Sequence, residues 1–220
     1  MAIDAGTPTL GKPRRKLMTA KKSNDNEFDD ASEVGTDHYK VFTTQRTRTD
    51  YKVYLGEVIN TPYSYRDLYS LLRNASVEDT IVFYLANHGG HFEALSQLAN
   101  AVHDCVAVVQ MVVDAPCYSA GAMFAVLGDN LVMKPGTFLM FHNYSTGAMG
   151  KGNALIDQVV QEDAWARAQY QRLLKDFLTD KEITALAKDQ DVYVHADDKN
   201  LLSRFKRRWP HLYANKRGQS

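Results

Sequence analysis

Cysteine is nearly absent from this chain, with only Cys105 and Cys117 among 220 residues. So few thiols in so long a chain exclude a disulfide framework. Both lie in or beside apolar stretches, which makes buried free thiols the expected state and a reducing compartment the expected setting. Long hydrophobic runs are missing as well. The longest apolar stretch, residues 106–113, is broken by Gln110 and followed by Asp114. That is far short of the roughly 20 residues a membrane-spanning helix needs. The opening residues, MAIDAGTPTLGKPRRKLM, hold no apolar core of the kind a secretory signal requires. A cytoplasmic protein without a membrane span is the expectation. Nor is there an excess of either charge, since 26 basic and 26 acidic side chains cancel. Electrostatics therefore gives no reason to expect a nucleic-acid partner.

What is there is an ordinary globular composition, 45% hydrophobic and 24% charged. The length suits one domain with tails. Residues 1–37 read as a disordered tail, in which six basic residues (Lys12 to Lys22) precede six acidic ones (Asp25 to Asp37). Apolar residues are too sparse there to offset the ordering entropy. The folded domain is expected over 38–205, with a basic, loosely ordered tail over 206–220. No repeat of solenoid period is present.

From Tyr51 onward strand and helix patterns alternate, which predicts an α/β fold with largely parallel pairing. Residues 51–55 read as a strand. Ser64 reads as a helix N-cap, with Leu68, Leu71 and Leu72 forming the apolar face. Residues 80–86 (TIVFYLA) read as a buried strand ending at Asn87-His88-Gly89-Gly90. A helix carrying Ala94, Leu95, Leu98 and Val102 follows, then a buried strand over 106–113. Residues 119–127 suggest a short apolar helix, and 130–133 and 138–141 two short strands. Residues 153–177 have the length and periodicity of one long helix. Thr179 and Glu182 form a capping box for another.

Three features could carry chemistry. Gly89-Gly90 follows a strand, and glycines there let a substrate carbonyl approach the main chain closely. Ser119 opens a helix, where unpaired backbone N–H groups favour a developing anion. His142 closes a strand, which holds a general base firmly. Each alone is commonplace: a serine opening a helix is usually a cap. His88 and His91 flank the glycine pair and are alternative catalytic candidates, or simply polar loop edges. No metal or cofactor is expected.

Taken together, these motifs resemble the ClpP family, the proteolytic subunit of the Clp protease, within the ClpP/crotonase superfamily. The resemblance runs from Tyr51 to about Asp198. The matching segments are Asn87-His88-Gly89-Gly90, the run from Ala115 to Ala122 around Ser119, Leu139-Met140-Phe141-His142, the loop glycines Gly147 and Gly150, and Asp191 to Asp198. Intervals of 29, 23 and 49 residues separate Gly90, Ser119, His142 and Asp191 in turn, close to the family's spacing. The resemblance implies a ClpP/crotonase-like fold of repeated strand-helix units, with residues 153–177 as a protruding handle helix. It implies a serine endopeptidase with Ser119 as nucleophile, His142 as base and Asp191 orienting the base. Gly90 and Ala120 would form the oxyanion hole, and Gly89, Gly147 and Gly150 would line a sequence-tolerant peptide site. It also implies homo-oligomeric rings, possibly stacked, fed with polypeptide by an AAA+ unfoldase.

The chain departs from the family pattern at Asn87-His88, Tyr118 and Gln190, and at Asn200 to Ser203. These departures leave the triad intact and bear on ring stacking and on the unfoldase. A crotonase-type acyl-CoA enzyme and an inactive ClpP-like assembly subunit are the competing readings.

Overall fold

The structure is a computed structural model that describes residues 47–147 and 149–213, together with the backbone of 33–36 and 39–42. Strands β1 (Glu33–Thr36) and β2 (Tyr39–Phe42) pair antiparallel. β1 falls inside the expected disordered tail, so that expectation is corrected for these four residues. Residues 1–32 lie outside the described ones.

The body begins with β3 (Asp50–Ile59), a 3-10 turn (Pro62–Tyr65) and α1 (Arg66–Asn74). Ser64 is not a cap. Its N–H donates to Thr61 O at 3.0 Å inside the 3-10 turn, and Tyr65 occupies the N-cap position. Next come β4 (Thr80–Gly90), α2 (Phe92–Asp104) and β5 (Val108–Val113). β6 (Cys117–Tyr118), α3 (Ser119–Ala125), β7 (Asn130–Met133) and β8 (Phe138–Phe141) follow. The chain closes with α4 (Gly152–Leu174), α5 (Asp180–Leu186), β9 (Val192–His195), α6 (Leu201–Arg208) and α7 (Pro210–Tyr213).

The fold is α/β. The larger sheet has the order β3-β4-β5-β7, with every pairing parallel. A smaller sheet has the order β6-β8-β9, parallel between β6 and β8 and antiparallel between β8 and β9. Strand β4 shows how side chains divide. Ile81, Phe83 and Leu85 are fully buried, while Val82 and Tyr84 are only half covered. The expected wholly buried strand is thus a one-sided one. On the open face Tyr54 stacks on Tyr84, with ring centroids 5.0 Å apart, and Tyr54 is 74% exposed. Parallel sheets are ordinarily covered on both faces, so this face is unusual.

Helix α3 packs its Ala and Gly residues against the buried face of β4, and Phe124 meets Phe83 edge to face at 5.1 Å. Helix α4 behaves differently along its length. Its buried residues are Ala166, Tyr170, Leu173 and Leu174, and none precedes Ala166. At about 1.5 Å per residue its first 14 residues extend roughly 20 Å, while Ile156 and Val160 stand more than half exposed. The helix ends three residues earlier than its periodicity predicts. Asp176 takes a left-handed φ of 73°, turning the fully buried Phe177 inward.

The segment after residue 205 departs from the loose tail expected of it. Trp209 is 3% exposed, and its indole N–H donates to Gly128 O at 2.9 Å. The basic residues here serve as hydrogen-bond donors to carbonyls, which composition alone does not reveal. Residues 214–220 lie outside the described ones.

Beneath α6, Arg204 is buried and donates to both Glu182 oxygens at 3.0 and 2.7 Å. The same carboxylate accepts from the N–H and hydroxyl of Thr179, completing the expected capping box of α5. Burial alone would raise the Glu182 carboxyl. The bonds from Arg204 and Thr179 outweigh it and bring the group down to about 2. A depressed carboxyl contributes stability that is present above its unfolded value of 4.5 and is lost as pH falls toward 2. Glu182→Ala should strip the buried Arg204 of its two closest carboxylate bonds, leaving Asp198 at 3.7 Å and the Phe177 carbonyl, at a cost of about 1–3 kcal/mol in urea unfolding at pH 7. Its stability should also vary less between pH 5 and 2 than that of the wild type.

Candidate active site

The candidate residues gather where the C-terminal ends of β4, β6 and β8 meet the start of β9. Glycine pair Gly89-Gly90 is the end of β4 itself rather than a turn after it. Both have left-handed φ values, 96° and 138°. A Cβ on Gly89 would lie 2.7 Å from Ser119 Cβ, 3.0 Å from Tyr118 O and 3.3 Å from Ala120 N. The glycine backbone is therefore pressed against the first turn of α3, which carries Ser119 and Ala120. Backbone N–H groups in a first turn have no acceptor within their own helix.

Ser119 has φ 51°. A non-glycine residue in this region is strained, by about 1–3 kcal/mol, and such strain persists only where surrounding packing imposes it. The imposing contacts are visible. Asn87 is fully buried, donates to Gly56 O at 3.2 Å and accepts the Gly89 N–H at 2.9 Å. A Cβ on Gly121 would lie 2.5 Å from Asn87 Oδ1. Neither a larger residue at Gly121 nor a side chain at Gly89 fits without moving Ser119. Asn87 is a positioning residue that the sequence reading noted only as a departure. Its signal was an amide in a strand whose neighbouring inward positions are all apolar.

His142 immediately follows β8, and Asp191 immediately precedes β9. These strands pair Phe141 with Val192, so His142 and Asp191 are the residues that flank the last pair of the ladder. The parallel pairing of β6 with β8 matches Tyr118 with Met140, so the ladder ends one residue before Ser119 and two before His142. Among the described residues no hydrogen bond joins Ser119 to His142 or His142 to Asp191. The nearby Asp189 is engaged elsewhere. Its carboxylate accepts from Asn143 Nδ2 at 2.8 Å, and Asn143 Oδ1 accepts from the buried Tyr170 hydroxyl at 3.3 Å. This chain fastens the segment after His142 to the turn before Asp191, and sequence spacing gave no sign of it.

Gly147 and Gly150 lie on the exposed loop between His142 and α4, and a Cβ at Gly147 would meet nothing within 4 Å. No hydrogen bond among the described residues ties either to Ser119. His91 opens α2 with its N–H donating to Ile59 O at 2.9 Å. His88 is stacked on Tyr118 with centroids 5.5 Å apart. Two of the departures from the ClpP pattern are therefore one contact, a stacked pair of rings beside Ser119. Cys117 is fully buried, and desolvation pushes its thiol up to about 11, against a weaker opposing hydrogen bond from the Asn87 backbone. A thiol so held is a poor nucleophile.

No protein-family model matches the chain, and no curated protein matches it. Among the described residues no group of three or more His, Cys, Asp or Glu could hold a metal ion, and no helix is long and apolar enough to cross a membrane.

The packing generates a test that needs no substrate. Gly89→Ala forces a Cβ against Ser119 and the Tyr118 carbonyl from a left-handed backbone. It should lower stability by about 1–3 kcal/mol in chemical unfolding. Ala86→Ser, on the exposed side of the same strand, should be near neutral.

Proposed function

We propose that this chain is a serine peptidase with a ClpP/crotonase-type fold, acting on peptides or unfolded polypeptide through Ser119, His142 and Asp191. The observation that carries the reading is Gly89 packed on Ser119, with His142 and Asp191 flanking the paired Phe141 and Val192 of β8 and β9. Separate segments of the chain would there supply a nucleophile, a base, an acid and two backbone donors, the set that acyl transfer needs. The open triad is compatible with this, because catalytic hydrogen bonds in an empty site often tighten only when substrate arrives.

In this mechanism Ser119 Oγ attacks the scissile carbonyl carbon while its proton passes to His142. The oxyanion accepts hydrogen bonds from the N–H groups of Gly90 and Ala120. Collapse of the tetrahedral species breaks the C–N bond, and the leaving amine takes the proton from His142. Water, deprotonated by the same histidine, then hydrolyses the acyl-Ser119 ester. Asp191 fixes the imidazole tautomer. The extended segment at Gly89-Gly90 suits a peptide that binds as an added strand, and Gly147 and Gly150 would line the other side of it. The protein works in the cytoplasm, and an AAA+ unfoldase supplies extended chain.

Assembly belongs to the same proposal. The uncovered parallel face around Tyr54 and Tyr84 and the projecting half of α4 both expose apolar surface that one copy leaves unburied. We read them as contacts between copies in a homo-oligomeric ring, with rings stacking through α4.

A fluorophosphonate should label wild-type protein at Ser119. Ser119→Ala should abolish labelling and peptide hydrolysis, while Cys117→Ala should retain both; the reverse pattern would overturn the assignment. A folded, assembled protein that never labels would instead favour an inactive assembly subunit. Asp191→Asn should cut turnover by about 10⁴-fold through the wrong histidine tautomer. For assembly, Val159→Glu should shift sedimentation toward smaller species and lower activity with it. A wild type that stays monomeric at every concentration with full activity contradicts the ring.

A further inference from the structure

One concave feature of the described residues shares no residue with the candidate active site. It is a cleft of about 390 Å³ between α2, the end of α4 and the C-terminal helices. Arg172, Arg207 and Arg208 all line it, together with His103 and His211. Among the described residues none of these three guanidinium groups lies within 4.0 Å of a carboxylate.

Each arginine is held by neutral acceptors instead. Arg172 donates to Asn100 Oδ1 at 2.8 Å and Ser96 Oγ at 3.5 Å, and its Nε–H is buried without an acceptor. Arg207 donates to the carbonyls of Asp176 and Phe177 at 3.3 and 3.2 Å. Arg208 donates from Nε to Val126 O at 3.0 Å. Every guanidinium carries five N–H donors, so these bonds fix the three side chains and leave donors over. Two carboxylates also line the cleft. Asp129 accepts the Val109 N–H at 2.8 Å, and Asp176 attracts Arg208 only from a distance. Desolvation weakens the hold of Arg172 and Arg208 on their protons.

We propose that this cleft binds a small phosphate-bearing anion, either an organic phosphate or inorganic diphosphate. Rigid guanidinium forks match the paired oxygens of a phosphate, which lysines would not. The volume lies at the small end of ligand pockets and fits a small molecule. The site is independent of the peptidase reading, since none of its residues takes part in that chemistry.

The test is calorimetric titration of the full chain with inorganic diphosphate at constant ionic strength, alongside melting curves. Wild type should bind one diphosphate per chain saturably, and its Tm should rise relative to chloride, as binding to the folded state requires. A series of organic phosphates then separates the two sources of ligand. Arg172→Gln and Arg207→Gln should each weaken binding at least tenfold, and Arg73→Gln, outside the cleft, should not. The Arg207 side chain is exposed, so Arg207→Gln keeps the test decisive if Arg172→Gln fails to fold. Absence of saturable binding by wild type, or equal affinity in Arg207→Gln and Arg73→Gln, overturns the proposal.

Discussion

The close contact between the end of β4 and the first turn of α3 is the constraint on which the rest of the site depends. It requires glycine at positions 89 and 121, and it requires Asn87 between them. Asn87 is the one buried side chain here that satisfies two backbone groups at once, a carbonyl of β3 and an N–H of β4. Replace it with an apolar residue and both groups lose their partner. A buried polar atom without a partner costs about 1–3 kcal/mol. The strained φ of Ser119 is sustained by this arrangement. In that sense the backbone conformation at position 119 is made by its neighbours more than by the serine.

Strand and helix alternation was legible because it rests on local periodicity. Strands at 130–133 and 138–141 and the capping box at Thr179 and Glu182 stood as read. The failures have physical causes. β6 is two residues long, too short for any period, and exists only because β8 pairs with it. Ser64 had the composition of a cap, but Pro62 starts a tighter turn that moves the helix start past it. The C-terminal segment looked like a solvated basic tail. Only tertiary structure reveals that Trp209 fills a core position and that neighbouring arginines satisfy carbonyls.

The candidate site divides in the same way. Ser119, His142, Asp191 and the glycines were chosen by order and spacing along the chain. The spatial relation of His142 to Asp191 is a matter of strand register, which no spacing of single residues encodes. The chain Tyr170–Asn143–Asp189 was invisible for the same reason, being built from residues 27 and 46 positions apart. His88 and Tyr118 could be seen separately as odd, and their stacking makes them one structural change. Asp189, two residues before Asp191, is bonded to Asn143.

Helix α4 contains two stretches of unequal standing. From Ala166 onward it is anchored by buried side chains; before that it is bonded mostly to itself, with short tethers such as Thr146 to Glu162 and Trp165 to Phe92. An isolated helix of about 14 residues is marginal in water. In a single copy, then, backbone amides ahead of Trp165 exchange through local fraying, while those past Ala166 exchange only as the core opens. One continuous rod in the static picture is, on the exchange timescale, a hinge-free but two-speed element.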